Sequence, residues 1–365
     1  VRTAIVSDMH LGSAYGEDLL RDAEIRQALL DEIEGADRLV LLGDAIELRE
    51  RPLAPILELA RPFFEDLGRA MSGQQVLLVP GNHDHRLAEP LLEELALAGV
   101  PLGLEHRGEP RGGTLTRIGD WLGGAELAIA YPGAWLREDV YATHGHYMDC
   151  HMSLPRLECL AAAAMMRGFG APPQAATPED YERVLRPIYG LSFGFAQSGL
   201  ARKAARPSER AWRTLTTPTS RNGRLRRRAM RAALAAGVPS SMWALNRLLD
   251  AEFSADISAT AITQSGVDAA TELARRLEVG AVHLITGHTH RAGPRPDEGW
   301  GLPGGGSLHN TGSWVFSSAF HHPGRPPNSY WPGTVTWIED DTPPRRVQLL
   351  HQLSHQQLTG ILGAG

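Results

Sequence analysis

The chain of 365 residues is poor in cysteine, with two, and in lysine, with one (Lys203) among 36 basic side chains. Cys150 and Cys159 are too few for a disulfide framework, and neither sits in zinc-knuckle spacing. A reducing cytoplasm is therefore the expected compartment. Aromatic residues make up only 6% of the chain. No uninterrupted apolar run approaches the roughly 18 residues that a membrane-spanning helix needs, which leaves only peripheral membrane contact open. Charge is also nearly balanced, at a formal net of -6, so a wholly basic nucleic-acid binder is disfavoured. With 42% hydrophobic residues, disorder, collagen and coiled coil are excluded as global classes. Val1 to Val6 already read as a strand, so no signal peptide is expected ahead of the fold.

What is present begins with an alternation of short apolar runs and longer amphipathic ones, the pattern of an α/β fold. Strands are expected at 4–6, 38–42 and 75–79, with helices at 17–34, 52–71 and 87–98. The stretch 113–144 reads as β-like, with strands at 127–130 and 140–143. Ala-rich segments broken by prolines follow and read as several inserted helices. The α/β pattern resumes with a helix at 267–277 and strands at 281–285, 308–311, 334–338 and 345–350. The division is then a discontinuous core over 1–150 and 265–350, a helical insertion over 151–264 and a C-terminal tail over 351–365.

The turn after each of five strands carries groups that bind metal. Asp8-Met9-His10, Asp44, Asn82-His83-Asp84, His144-Gly145-His146 and His288-Thr289-His290 fill these places. Loops at the carboxyl ends of strands are where such sheets bind ligands. Carboxylate and amide oxygens mixed with imidazole suit manganese first, with iron, zinc or cobalt as the other choices. Any one of these turns is ordinary alone, since Asp, Asn and Gly are common turn residues. Five in this order indicate a dinuclear metal site.

Taken together, Ser7-Asp8-Met9-His10-Leu11-Gly12, Gly43-Asp44-Ala45-Ile46-Glu47, Gly81-Asn82-His83-Asp84, His144-Gly145-His146 and Gly287-His288-Thr289-His290 resemble the calcineurin-like metallophosphoesterase signature. The resemblance implies a four-layer α/β/β/α sandwich with two divalent metal ions. By position, Asp8, His10, Asp44 and His290 would hold one ion. Asp44, Asn82, His144 and His288 would hold the other, with Asp44 bridging. A hydroxide shared between the ions would attack a phosphoester or pyrophosphate. His83 is expected as the catalytic group that stabilises the transition state or protonates the leaving oxygen. Asp84 would orient the His83 ring or cap the following helix. Glu47 and His146 are expected toward the substrate, Glu47 alternatively supporting Asp44. Asn310 to Trp314 would pack beneath the ligands or line the pocket.

The insertion holds the one strong charge asymmetry. Residues 200–231 contain 11 basic side chains and one acidic one, a charge of +10 that leaves -16 on the remainder. Arg202 and Arg206 in that run are expected to meet an anionic substrate, since guanidinium binds phosphate in a fork. A solvated face, an anionic lipid surface and a nucleic acid compete as readings of the run. Details of the motifs resemble the UDP-2,3-diacylglucosamine hydrolase branch, which cleaves a lipid-linked pyrophosphate. A nuclease on the same metals and a non-catalytic metal-bearing scaffold are the alternatives.

Overall fold

The computed structural model describes residues 1–198, 242, 245–256, 258–302, 304–317, 321 and 327–364. Among the described residues ten strands are formed: β1 (Thr3–Val6), β2 (Arg38–Leu42), β3 (Gln75–Val79), β4 (Glu105–Gly108), β5 (Glu126–Arg137), β6 (Val140–Thr143), β7 (His283–Thr286), β8 (Ser307–Asn310), β9 (Thr334–Ile338) and β10 (Arg345–Gln348). Their order is β10-β9-β1-β2-β3-β5-β6-β7-β8, with β4 also on β5. β1, β2, β3 and β5 are parallel, as are β6, β7 and β8, while β5 and β6 are antiparallel. The 12-residue β5 joins both parallel sets: its first half pairs with β3 and its second half with β6.

Alternation of side chains along the strands divides the interior into three sheets of apolar contact. Ala4, Val6, Leu39, Leu41, Val76 and Leu78 point to one core, shared with helices α1 (Ala23–Glu32), α2 (Leu53–Ala70) and α4 (Gly113–Leu122). Their neighbours Ile5, Val40, Leu42, Leu77 and Val79 point the other way and meet Val140, Ala142 and Ile285 of the second strand set. Tyr141, Leu284 and Leu308 face outward again, against helices α5 (Leu157–Phe169), α6 (Pro178–Gln197) and α7 (Ala259–Arg276). The succession is helices, sheet, sheet, helices, the α/β sandwich expected from the motifs. Strands buried on both faces are continuous apolar runs, as in Leu39-Val40-Leu41-Leu42.

Several elements differ from the sequence expectation. Residues 113–122, read as β-like, form α4, because Leu115, Ile118 and Leu122 at helical spacing all bury against the first core. Gly68 of α2 permits this, since a Cβ there would lie 2.6 Å from Leu122 Cα. β4 was not expected. Helix α3 (Glu89–Ala98) follows the third ligand loop. α7 starts eight residues before the expected 267, at the Ser258 N-cap, whose side chain accepts from the Ala261 amide at 3.2 Å. The tail carries helix α8 (His355–Ala364), which buries Leu358 in the first core. Of the expected insertion, α5 and α6 are layers of the sandwich, and the basic run with Arg202 and Arg206 lies outside the described residues. No helix among the described residues is long and apolar enough to cross a membrane.

Candidate metal centre

Loops at the carboxyl ends of β1, β2, β3, β6 and β7 converge on one buried cluster. The first two continue to pair beyond their strands, Asp8 N donating to Gly43 O at 3.0 Å and His10 N to Asp44 O at 2.8 Å. Asp8, His10, Asp44, His288 and His290 all adopt positive φ, between 47° and 65°. Five such residues in one place, in a conformation uncommon outside glycine, mark strain held for function. Glycines make room for the ligands. A Cβ at Gly287 would sit 2.6 Å from Asp8 Oδ2, and at Gly43, with φ of 81°, it would enter the His144 ring.

Among the described residues, three groups of side chains bring potential ligand atoms within 4.8 Å of one another: Asp8, His10 and His290; His10, Asp44 and His83; and Asp44, His144 and His288. Asp44 belongs to two of them, and its Oδ2 lies 3.2 Å from His144 Nε2 and 3.7 Å from His10 Nε2. His290 Nε2 is 3.2 Å from Asp8 Oδ1 and 3.3 Å from His10 Nε2. Asn82 Oδ1 faces His144 Nε2 and His288 Nδ1, each at 3.2 Å, and Asp44 Oδ2 at 3.3 Å. An amide oxygen among lone pairs suits a cation between them. A half-turn of the amide suits the protein alone, its nitrogen donating to all three and its oxygen accepting from Arg49 Nη1 at 2.9 Å.

The electrostatics have the same direction. Burial opposes charge on His10, but the Glu47 hydrogen bond and the carboxylates of Asp44 and Asp8 push it up to about 10. Burial likewise opposes charge on His144, which Asp44 and Asp8 raise to about 9. Asp44 is held well below the usual carboxylate range, against its burial, by His144, His83 and His10. The cluster attracts positive charge strongly, and protons and divalent cations compete for it. The donor set therefore suits divalent metal, which its Asp and His groups could hold.

Partners outside the ligand set fix the ring orientations. His144 Nδ1 meets Leu42 O at 3.0 Å, which presents Nε2 to the cluster. Glu47 Oε2 meets Nδ1 of both His10 (2.9 Å) and His83 (2.6 Å), and Oε1 accepts from Arg49 N at 2.9 Å. Glu47, expected toward the substrate or Asp44, is 1% exposed and serves these two rings instead. His83 keeps 20% of its side chain exposed and His290 30%, so the cluster opens on their side. Asp84 neither touches the His83 ring nor caps the next turn. Its oxygens accept from the amides of Gly81 (2.6 Å), Ala45 (2.8 Å) and Asp44 (3.2 Å), tying two ligand loops together. Asn310 and Thr311 pack beneath the ligands, Asn310 Nδ2 donating to Gly287 O at 2.5 Å and Thr311 Oγ1 to Thr286 O at 3.2 Å.

His146 does not face the opening. It is 1% exposed, with Nε2 on Tyr131 Oη at 3.1 Å, in a second buried group around Glu182. Two residues at the centre had not been singled out from the sequence. Arg49 lies beside Asn82 and 3.9 Å from Glu158 of α5. Asp149 accepts from His288 Nε2 at 2.9 Å. The available signal for Asp149 was a carboxylate set among Tyr147, Met148 and Cys150, in a stretch too apolar for a solvated turn.

No curated protein matches the sequence. Among solved structures, a point mutant of a cold-active protein tyrosine phosphatase aligns at 15% identity, covering 95% of this chain and 78% of that one, with a TM-score of 0.32. The cold-active protein-tyrosine phosphatase of a psychrophilic Shewanella species aligns at 14% identity over the same shares, with a TM-score of 0.29. Scores this low establish neither a shared fold nor a shared substrate. The family comparison is tied to the site itself: residues 1–166, which carry four of the five ligand loops, match the family model of the calcineurin-like phosphoesterases.

Proposed function

We propose that the protein is a phosphoesterase that works with two divalent metal ions. The observation that carries this reading is Asp44, whose buried Oδ2 lies 3.7 Å from His10 Nε2 of one proposed set and 3.2 Å from His144 Nε2 of the other. Asp8, His10, Asp44 and His290 would hold one ion, and Asp44, Asn82, His144 and His288 the other. When bound, the ions supply Lewis acidity to phosphoryl oxygens and lower the pKa of water. The chain's own residues do the rest. Glu47 engages His83 Nδ1, so Nε2 is the nitrogen free to carry a proton toward the opening. There it can protonate the oxygen that leaves. Asp84 holds the backbone from which His83 and Asp44 project.

The motif resemblance makes a lipid-linked nucleotide pyrophosphate the first substrate to try, in a reducing cytoplasm, with the 200–231 basic run supplying contact to anionic substrate or membrane. Mn-loaded protein should be assayed on p-nitrophenyl phosphate, a bis-ester, a cyclic nucleotide and a lipid-linked UDP compound, alongside His83→Ala. The variant should keep both metals and lose about 100-fold or more in turnover. Unchanged rates on every hydrolysed ester would remove His83 from the chemistry, and hydrolysis of none would leave a binding scaffold.

A further inference from the structure

His144 and His288, the two imidazoles of the second metal group, are held in different ways. His144 gives Nδ1 to a backbone carbonyl and presents Nε2. His288 does the reverse: its Nε2 is bound to Asp149 Oδ1 at 2.9 Å, and its Nδ1 faces Asn82 within the cluster. Asp149 is 3% exposed and its carboxyl is not a member of any ligand group. It comes from the 3-10 turn His146–Cys150 that follows the His144 loop, and its Oδ1 also accepts from Cys159 Sγ at 3.6 Å on α5. A carboxylate is costly to bury unless a partner uses its charge. His288 is its hydrogen-bonded ionic partner, and the Arg156 guanidinium adds a weaker attraction through space.

We infer that Asp149 is a positioning residue for the second metal. It fixes His288 with the proton on Nε2 and the lone pair of Nδ1 directed into the cluster, and its charge makes that nitrogen a stronger donor than a carbonyl partner would. The segment after β6 thus does more than follow the ligand His144; it sets the ligand from β7. The inference rests on the two-metal reading above.

Asp149→Asn retains an acceptor for His288 and deletes the charge. Apoprotein and variant are to be titrated with Mn, reading bound metal by elemental analysis and the coupled-pair signal by electron paramagnetic resonance. The first Mn should bind as in wild type, and the second should weaken about 10- to 100-fold, with the coupled signal lost at limiting Mn. Two unchanged binding steps in the variant overturn the inference alone. A wild type that takes up no second Mn overturns the two-metal reading and this inference with it. A measurement on the unmodified protein covers the case in which the variant does not fold. In Zn-loaded, histidine-labelled protein, two-bond proton–nitrogen correlations should show His288 as the Nε2–H tautomer, and the Nδ1–H tautomer would overturn the assignment.

Discussion

Two buried, histidine-rich groups lie side by side in this protein, and of the two only that around Asp44 brings three or more potential metal ligands together. Around Asp44, carboxylate oxygens, the Asn82 amide and ring nitrogens face one another closely enough to share a cation. Around Glu182, both carboxylate oxygens have donors, although His146 Nδ1 and Tyr189 Oη beside them are buried without a partner among the described residues. Oε1 accepts from Tyr131 Oη at 2.5 Å and Tyr147 Oη at 2.6 Å, and Oε2 meets His85 Nε2 at 3.0 Å. Burial would raise the Glu182 carboxyl, but His85 and the two phenols hold it at about 2. Residue types do not separate the groups, since both consist of acids, histidines and polar neighbours. Donor balance does. A buried carboxylate whose oxygens each meet a protein donor has no place left for a cation, and one that faces other ligand-type groups can share a cation with them.

The contrast can be broken by experiment. The largest effect should come from Asp44→Asn, which removes the carboxylate common to two ligand groups. Metal content should fall below two ions per chain, and the rate by more than the roughly 100-fold that outer partners cost. Full occupancy by elemental analysis would contradict the shared role. Next is Gly43→Ala, which places a methyl in the His144 ring at a backbone angle that disfavours side chains. The backbone term alone is about 1–3 kcal/mol, visible as a lower melting temperature, and metal uptake should suffer too. The smallest effect is expected at Glu182→Gln, with metal content unchanged and stability at neutral pH lower by roughly 1–3 kcal/mol. Its pH dependence has a definite sign. A carboxyl depressed from 4.5 to about 2 stabilises fully above its unfolded value, and that contribution is lost as pH falls from 4.5 toward 2. Wild type and variant should therefore converge in stability over that acid window, and a constant gap would exclude the charged network.

The same contrast explains what the sequence made legible. Strand ends and turn chemistry located the five loops that converge on the Asp44 cluster, because apolar runs and Gly-Asp or Gly-Asn turns are local signals. Local spacing could not say where every second side chain points. His83 and His85 are two residues apart, as are His144 and His146, yet His85 and His146 both turn to the Glu182 group. Asp84 looked like a partner for its neighbour His83 and instead accepts from the amides of Gly81 in its own loop and Ala45 in another. Glu47 finds its rings 36 and 37 residues away, and Asp149 finds His288 at a separation of 139. These are consequences of which strands lie adjacent, and adjacency is a tertiary fact.

One strand has a consequence for redesign. β5 runs through both parallel sets, and β6 lies in register with β7 through Ala142 and Ile285, so His144 and His288 sit at the ends of neighbouring strands. The chain between those strands can leave and return without altering their spacing. Exchange of the chain between the end of α6 and the start of α7 should then leave the spacing of His144 and His288 unchanged.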